Sequence, residues 1–227
     1  MLMRARAFKT GGNRLARSLL RSTSGASAIE FALTLPLLLT LTFFGTEIAY
    51  ESSVNMEMSQ IALSAADNAS RLEQANNSAV SPTVTESDVA SVMNGVLKQG
   101  APYGFQANGR VILSSLETDP STGKQYIHWQ RCIGNLSVQS AYGNDTTHTG
   151  LTGATITGMG SGTTKVSAPA ASNSQAVMFV ELYYTYNGLF GTMFLQPQRF
   201  VHEGAFITRD SRNLAAGLTG TKTTPCT

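Results

Sequence analysis

Charged residues are scarce in this sequence: they make up 13% of its 227 positions, where soluble proteins average about 25%. Cysteine occurs only twice. The low charge and the 42% hydrophobic content exclude a disordered polyelectrolyte and a coiled-coil rod, and the two cysteines exclude a disulfide-dense mini-protein. Ser, Thr, Asn and Gly replace most of the missing charge. The length allows one domain, with or without an appendage, and a core that is stable alone.

Motifs of catalysis and of metal binding are also missing. The three histidines (His128, His148 and His202) are widely spaced, and no His-Glu-x-x-His pair occurs. The glycine-rich stretch at Gly158–Lys165 lacks the spacing of a phosphate-binding loop, and no G-x-S-x-G sequence is present. We therefore expect no enzyme, no catalytic residues, no metal site and no cofactor. The net charge of +2 does not indicate a nucleic-acid partner.

The charge that is present is unevenly placed. Six of the sixteen basic residues lie in the first 21 positions, and no acidic residue precedes Glu30. The remainder carries ten basic and fourteen acidic residues, a net charge of −4. A basic leader on a mildly acidic body is typical of a targeting signal. A disordered basic tail that contacts anionic lipid or nucleic acid is the alternative.

A long apolar run follows the leader. From Phe31 to Thr46 there are sixteen consecutive uncharged residues, bounded by Glu30 and Glu47. In a helix these two carboxylates lie about 25 Å apart, a little less than the ~30 Å hydrocarbon core of a bilayer. A buried helix of a soluble protein is the alternative. Leucine and phenylalanine all round the helix, behind six cations, favour a membrane-spanning segment at residues 26–50.

The apolar run does not end as a secretory signal does. No small-residue cleavage pattern follows it, whereas small residues cluster before it. The helical pattern also continues, with apolar residues three and four positions apart as far as Leu72. We expect one helix over about residues 27–73. The positive-inside rule places its N-terminus in the cytoplasm and the C-terminal body outside it, in the periplasm.

The junction of leader and helix resembles a known family. Gly25-Ala26-Ser27-Ala28-Ile29-Glu30-Phe31 and the ALTLPLLLTLTFFGTEI that follows are similar to the N-terminus of TadE-like proteins, minor pseudopilins of tight-adherence (Flp-type) pilus systems. A looser similarity covers 176–213. The resemblance implies cleavage by a prepilin peptidase after Gly25, so that Ala26 becomes the N-terminus and Glu30 the fifth mature residue, followed by Phe31. It also implies bacterial inner-membrane anchoring, pilus subunits and assembly machinery as partners, and a role in cell adhesion.

Glu30 has two physical explanations. A carboxylate at the head of an apolar helix is costly unless it has a partner. In a stack of cleaved subunits that partner is a neighbour's Ala26 amine, which would fix the register of assembly. The alternative is a carboxylate at the headgroup level, where the positive end of the helix dipole favours an anion. Residue chemistry alone leaves both open.

The pattern of residues 51–227, the body, predicts both helix and strands. Thr85 to Asp88 can cap a helix that ends near Gly100. Strand patterns at 110–116 and 126–133 flank a turn, and two more run over 176–186 and 200–209. The Gly/Ser/Thr-rich residues 139–174 are predicted to be a surface excursion. The fold class is therefore α+β: a long N-terminal helix packed on a small antiparallel sheet of about four strands.

Cys132 and Cys226 are predicted to form a disulfide if the body lies in an oxidising compartment. Closing such a loop contributes about 4–5 kcal/mol in the chain-entropy model. Two unpaired cysteines are the alternative.

Three functions fit the whole sequence. The first is a TadE-like pseudopilin with leader 1–25, processed by a prepilin peptidase and able to enter the pilus. The second is a single-pass membrane protein that binds an envelope component and never polymerises. The third is a secreted protein with a long signal.

Overall fold

The computed structural model describes residues 24–72 and 82–226. Residues 1–23 of the predicted leader and most of the loop predicted at 76–82 lie outside the described residues. The chain divides into two compact units, one ending at Ile48 and the other spanning Ala49–Thr227. The first unit contains the apolar half of the long helix, and the second contains the α+β body.

The long helix is present as predicted. Helix α1 runs over Ser24–Ser70, 47 residues in all, within three residues of the expected bounds. In the second unit its apolar side chains form a stripe with helical spacing, because they recur every three or four residues and are buried: Val54, Met58, Ile61, Ala65 and Ala69. The stripe packs against the sheet, so the second half of α1 belongs to the core of the body.

A capping box starts the second helix. Helix α2 spans Glu86–Gly100, with Thr85 as its N-cap. The Thr85 hydroxyl accepts a hydrogen bond from the Asp88 backbone N–H, and the Asp88 carboxylate accepts one from the Thr85 backbone N–H. The two orphan donors of the first turn are thereby satisfied. A short helix α3, Phe105–Asn108, follows after a 3₁₀ turn at Ala101–Tyr103.

Four antiparallel strands form one sheet, as expected. Strands β1 (Gly109–Thr118), β2 (Gln125–Ile133), β3 (Val177–Tyr186) and β4 (Gln198–Ile207) lie in the order β2-β1-β3-β4. The β1–β2 hairpin closes at the predicted Asp119–Gly123 turn, where the Asp119 carboxylate accepts from the backbone N–H of Thr122. His128 is the extra residue of a bulge in this hairpin, because Ser115 pairs with Trp129 and Leu116 with Ile127.

One face of the sheet packs on the helices. Every second residue of β3 joins the core formed with α1 and α2, and these are Met178, Val180, Leu182, Tyr184 and Tyr186. Helix α1 comes very close to the edge strand at Gly204 of β4. A Cβ at this position would lie 2.8 Å from the carbonyl oxygen of Ala62, so only glycine fits without displacement of the helix.

The other face of the sheet is covered by residues 139–174, and here the predicted surface excursion is wrong in one respect. The segment has little regular structure, as expected, but Met159 is fully buried and Ile156 nearly so. Both pack against Phe179 of β3 and its neighbours on β1 and β2. The segment is a third layer, irregular in backbone, that closes a second small core.

Candidate processing and membrane segment

The head of α1 holds the four residues predicted to direct processing and assembly. Helix α1 begins at Ser24, so Gly25 and Ala26 lie in its first turn. Glu30 lies four residues after Ala26 and therefore on the same side of the helix. Glu30 and Phe31 are both exposed, Phe31 by 63%. No ion pair joins Glu30 to any residue in the described ranges 24–72 and 82–226.

The surroundings of Gly25 are open. A Cβ built on Gly25 meets no atom of the described chain within 4 Å, and its φ lies outside the left-handed region that would require glycine. A larger residue here costs the chain little beyond helix propensity. A requirement for glycine at this position would therefore come from an enzyme that must approach the backbone, and not from the fold.

The apolar segment that follows is exposed on every side. Its most apolar 18-residue window has a mean hydropathy of 1.8, and none of that window is buried. Exposed fractions reach 74% at Leu33, 73% at Leu37 and 70% at Leu41. Soluble proteins rarely leave so large an apolar patch in water. Among the described residues, one helix is long enough and apolar enough to cross a membrane, and this segment belongs to it.

The polar side chains of this segment are satisfied within the helix itself. Each of its four threonines donates its hydroxyl to the carbonyl four residues earlier: Thr34 to Glu30, Thr40 to Pro36, Thr42 to Leu38 and Thr46 to Thr42, at 2.8–3.0 Å. An unpaired hydroxyl would be costly in hydrocarbon. Back-bonding of this kind lets threonine sit in an apolar helix without a partner on another chain.

Pro36 lies in the middle of the apolar segment, and α1 continues through it without interruption. Proline lacks the N–H that would bond the carbonyl of Ala32, which loosens the helix at this turn. Such a defect is tolerated in membrane helices because side chains and local adjustment compensate for it. The Thr40 hydroxyl bonds the Pro36 carbonyl, which adds one contact just after the gap.

The cysteine pair lies at the outer edge of β2. Cys132 and Cys226 are at disulfide distance, with their Cα atoms 4.9 Å apart, and lie 94 positions apart in sequence. The backbone N–H of Cys132 also donates to the carbonyl of Thr224 at 3.0 Å. Further back in the tail, Thr219 donates to Val84 and accepts from Glu86. The C-terminal tail therefore joins the start of α2 to the exposed edge of the sheet.

A buried charge cluster, which the sequence patterns did not reveal, holds the same corner together. Arg131 of β2 forms a two-point ion pair with Glu86, at the start of α2, and both residues are about 95% buried. The Nη1 atom of Arg131 donates to the Asp145 carboxylate at 3.1 Å. The Lys222 ammonium of the tail pairs with the same carboxylate. Bidentate pairing is the geometry that best offsets the desolvation of buried charges.

Two carboxylates face the irregular layer from neighbouring strands. Glu181 and Glu203 are paired across β3 and β4. Burial raises the pKa of Glu181, against hydrogen bonds from Ser140, Ala141 and Tyr183. Burial acts in the same direction on Glu203, but hydrogen bonds from Tyr142 and Ser161 outweigh it and lower the pKa of Glu203. Both carboxylates accept hydrogen bonds from residues 139–174 and so attach that segment to the sheet. Their role is structural.

His128, the bulge residue of β2, pairs with a buried carboxylate. Its Nδ1 lies 2.9 Å from Glu117 of β1. The hydrogen bond to Glu117 raises the pKa of His128, against the opposing effect of burial. The described residues contain no group of three or more His, Cys, Asp or Glu side chains placed to hold a metal ion.

Comparison with known proteins identifies the N-terminal part of the chain. Residues 25–71 match the family model described as TadE-like protein. No curated protein and no solved structure matches the chain. The matched segment starts at Gly25, contains Glu30 and Phe31, and ends one residue after α1. The looser similarity at 176–213 lies outside it. The resemblance inferred from the sequence is thus confirmed over residues 25–71, where this chain matches the TadE-like family.

Proposed function

We propose that this chain is a minor pseudopilin or pilus assembly protein of a tight-adherence system. A membrane protein associated with a Tad pilus fits both the family match and the apolar helix. The observation that carries the proposal is the exposed apolar half of α1, headed by Gly25 and Glu30 inside the matched segment.

The proposed anchor is a single pass through the bacterial inner membrane. Six leader cations oppose translocation of the N-terminus, which places it in the cytoplasm. The body, from about residue 51, then lies in the periplasm. Cys132 and Cys226 at disulfide distance support an oxidising compartment for the body.

The proposed processing step is hydrolysis of the Gly25–Ala26 peptide bond by a prepilin peptidase. The cut would remove the basic leader and leave a helix that begins Ala-Ser-Ala-Ile-Glu, directly before the apolar segment. It would also create an α-amine on Ala26 with a pKa near 8, positively charged at neutral pH. The processed helix would then carry one cation and one anion at its head, four residues apart, above an uncharged segment.

These two charges are proposed to direct assembly with other pilus subunits. When helices stack, the exposed leucines and phenylalanines of the apolar segment contact their neighbours and exclude water. In such surroundings a carboxylate is costly unless it is paired. Pairing of Glu30 with the Ala26 amine of a neighbouring subunit satisfies both charges at one stagger, and Phe31 packs beside them. Nothing in the described chain indicates catalysis, so we propose a structural role.

N-terminal sequencing of the mature protein tests the proposal. Protein taken from cells with the peptidase should begin at Ala26, and protein from cells without it should keep the leader. Gly25→Val should block the cut. Gly45→Val is the matched control, because Gly45 lies in the same helix and is equally open, so it should be processed normally.

The other outcomes select the other functions. An intact leader in cells that contain the peptidase would indicate a membrane protein that binds an envelope component and never polymerises. A start near or after residue 50 would indicate a secreted protein. Either result would contradict the pseudopilin assignment.

A further inference from the structure

The connection between β3 and β4 is unusually apolar for a surface loop. From Asn187 to Gln198 it contains no charged residue. Three of its large apolar side chains are exposed: Met193 by 76%, Leu189 by 47% and Phe190 by 36%. Leu195 turns inward and packs against the core. The loop thus contacts the core of the body through Leu195 and leaves much of Leu189, Phe190 and Met193 exposed.

The backbone of the loop favours this outward display. Gly188 and Gly191 both have positive φ, at 79° and 63°, a conformation that other residues adopt at a cost. A 3₁₀ turn follows at Gly191–Met193, and the rings of Phe190 and Phe194 meet edge to face at 5.9 Å. The loop is therefore a folded turn with an apolar tip.

The loop leaves the sheet at the end where the chain enters the second unit. Tyr50, in the first turn of that unit, packs against Tyr186, the last residue of β3, with ring centroids 6.2 Å apart. Tyr50 is only four positions after Thr46, the end of the uncharged segment. Even a fully extended chain of that length spans no more than about 14 Å. Tyr50 and Tyr186 therefore lie close to the end of the proposed membrane segment, whatever the angle between the units.

We propose that this loop, residues 189–193, inserts into the lipid interface next to the proposed anchor. The inference rests on the membrane anchoring proposed above and adds a second contact with the bilayer. An uncharged tip of Leu, Phe and Met has the composition of segments that bury apolar side chains just below the headgroups. The loop holds the body against the membrane until assembly withdraws the subunit.

Depth-dependent quenching of tryptophan fluorescence tests this insertion in the full chain. The chain has one tryptophan, Trp129, which is 7% exposed and supplies a constant background. Met193→Trp places a reporter at the loop tip, and Leu37→Trp places one in the apolar segment. Lys124→Trp is the matched control, because it lies in the hairpin turn at the opposite end of the sheet; β1 and β3 run antiparallel. All three positions are exposed, so the fold tolerates the substitutions.

Each variant is reconstituted in vesicles of phosphatidylethanolamine and phosphatidylglycerol, with or without bromine on the acyl chains near the headgroup. We expect the added emission of Met193→Trp to shift to the blue and to lose most of its intensity in brominated vesicles, while that of Lys124→Trp is unchanged. Quenching in Leu37→Trp without quenching in Met193→Trp would overturn the loop proposal and leave the anchor intact. Quenching in neither of these two variants would overturn the anchor and the loop together. Equal quenching at positions 193 and 124 would also refute a contact specific to the loop.

Discussion

Substitution of Gly204 tests how tightly α1 packs on the sheet. Gly204 lies on β4, directly beneath α1, and pairs with Val180 of β3. A Cβ at this position would lie 2.8 Å from the Ala62 carbonyl oxygen and 3.3 Å from the Leu63 Cα. Both atoms are backbone, so no side-chain rotation relieves the contact. Either α1 or β4 must move.

The size of the effect follows from two opposing terms. Ordinary contact begins near 3.4 Å, so Gly204→Ala requires a separation of about 0.6 Å along the most crowded direction. Overpacking of this kind costs about 1–3 kcal/mol. Replacing a glycine inside a strand by alanine returns about 0.5–1 kcal/mol of chain entropy. The free energy of unfolding should therefore fall by about 1–2 kcal/mol, and further in Gly204→Val.

Urea unfolding of the full chain in detergent micelles, followed by the fluorescence of Trp129, measures this loss. Gly95→Ala is the control. Gly95 lies inside α2 with open space around it, so alanine should stabilise the helix by up to about 1 kcal/mol. The two glycine-to-alanine changes should therefore shift the midpoint in opposite directions. A Gly204→Ala protein as stable as the parent chain would refute the close approach of α1 to β4.

Three further variants and two reporter fusions test the head of α1, the tail, the β1–β2 hairpin and the topology. Glu30→Gln should be processed at least in part and stay in the membrane but fail to support pili; normal piliation would leave Glu30 as an interfacial anchor. Cys226→Ser should make the tail sensitive to protease and lower the unfolding free energy by up to about 4–5 kcal/mol, and free thiols in alkylated envelope protein would reject the disulfide. Because Glu117 raises the pKa of His128 in the folded chain, protonation stabilises the fold fully below pH ~6.5. Stability should therefore fall as the pH rises through the folded pKa, and His128→Gln should remove that dependence in urea titrations. A reporter active only in the periplasm should give signal after Thr227 and none when fused to the N-terminus.

The elements that the sequence predicts are those fixed by local patterns. The capping residues Thr85 and Asp88 define the start of α2 because their side chains bond the backbone of the same turn. Apolar residues at every second position of β3 identify the face that packs on the helices, because successive side chains of a strand point to opposite faces of the sheet. The long helix follows from an apolar run that continues into a spaced stripe. In each case the deciding interactions lie within a few residues.

The features that could not be predicted depend on partners far apart in sequence. Arg131 and Glu86 are 45 residues apart, so no local pattern indicates that they pair. The packing of Met159 on Phe179 belongs to a segment with no periodicity, whose shape is held by isolated bridges such as Met159–Val166. Side-chain bonds to Glu181 and Glu203 fix that segment from the sheet below. Such a layer has no pattern of its own that a sequence could display.

One continuous helix thus carries two kinds of surface, and the difference sets what the chain can do. Beyond Ala49 most apolar side chains of α1 form a stripe that is buried against the sheet, while Met56 and Leu63 lie outside it and are exposed. Before Ile48 they surround the helix and remain exposed, so this half needs lipid or other apolar helices on every side. In the assembly proposed above, a subunit withdrawn from the bilayer would satisfy that need by exchanging lipid for neighbouring helices. Since apolar contacts of that kind are nearly indifferent to register, the proposed pairing of Glu30 with a neighbour's Ala26 amine is what would select one stagger.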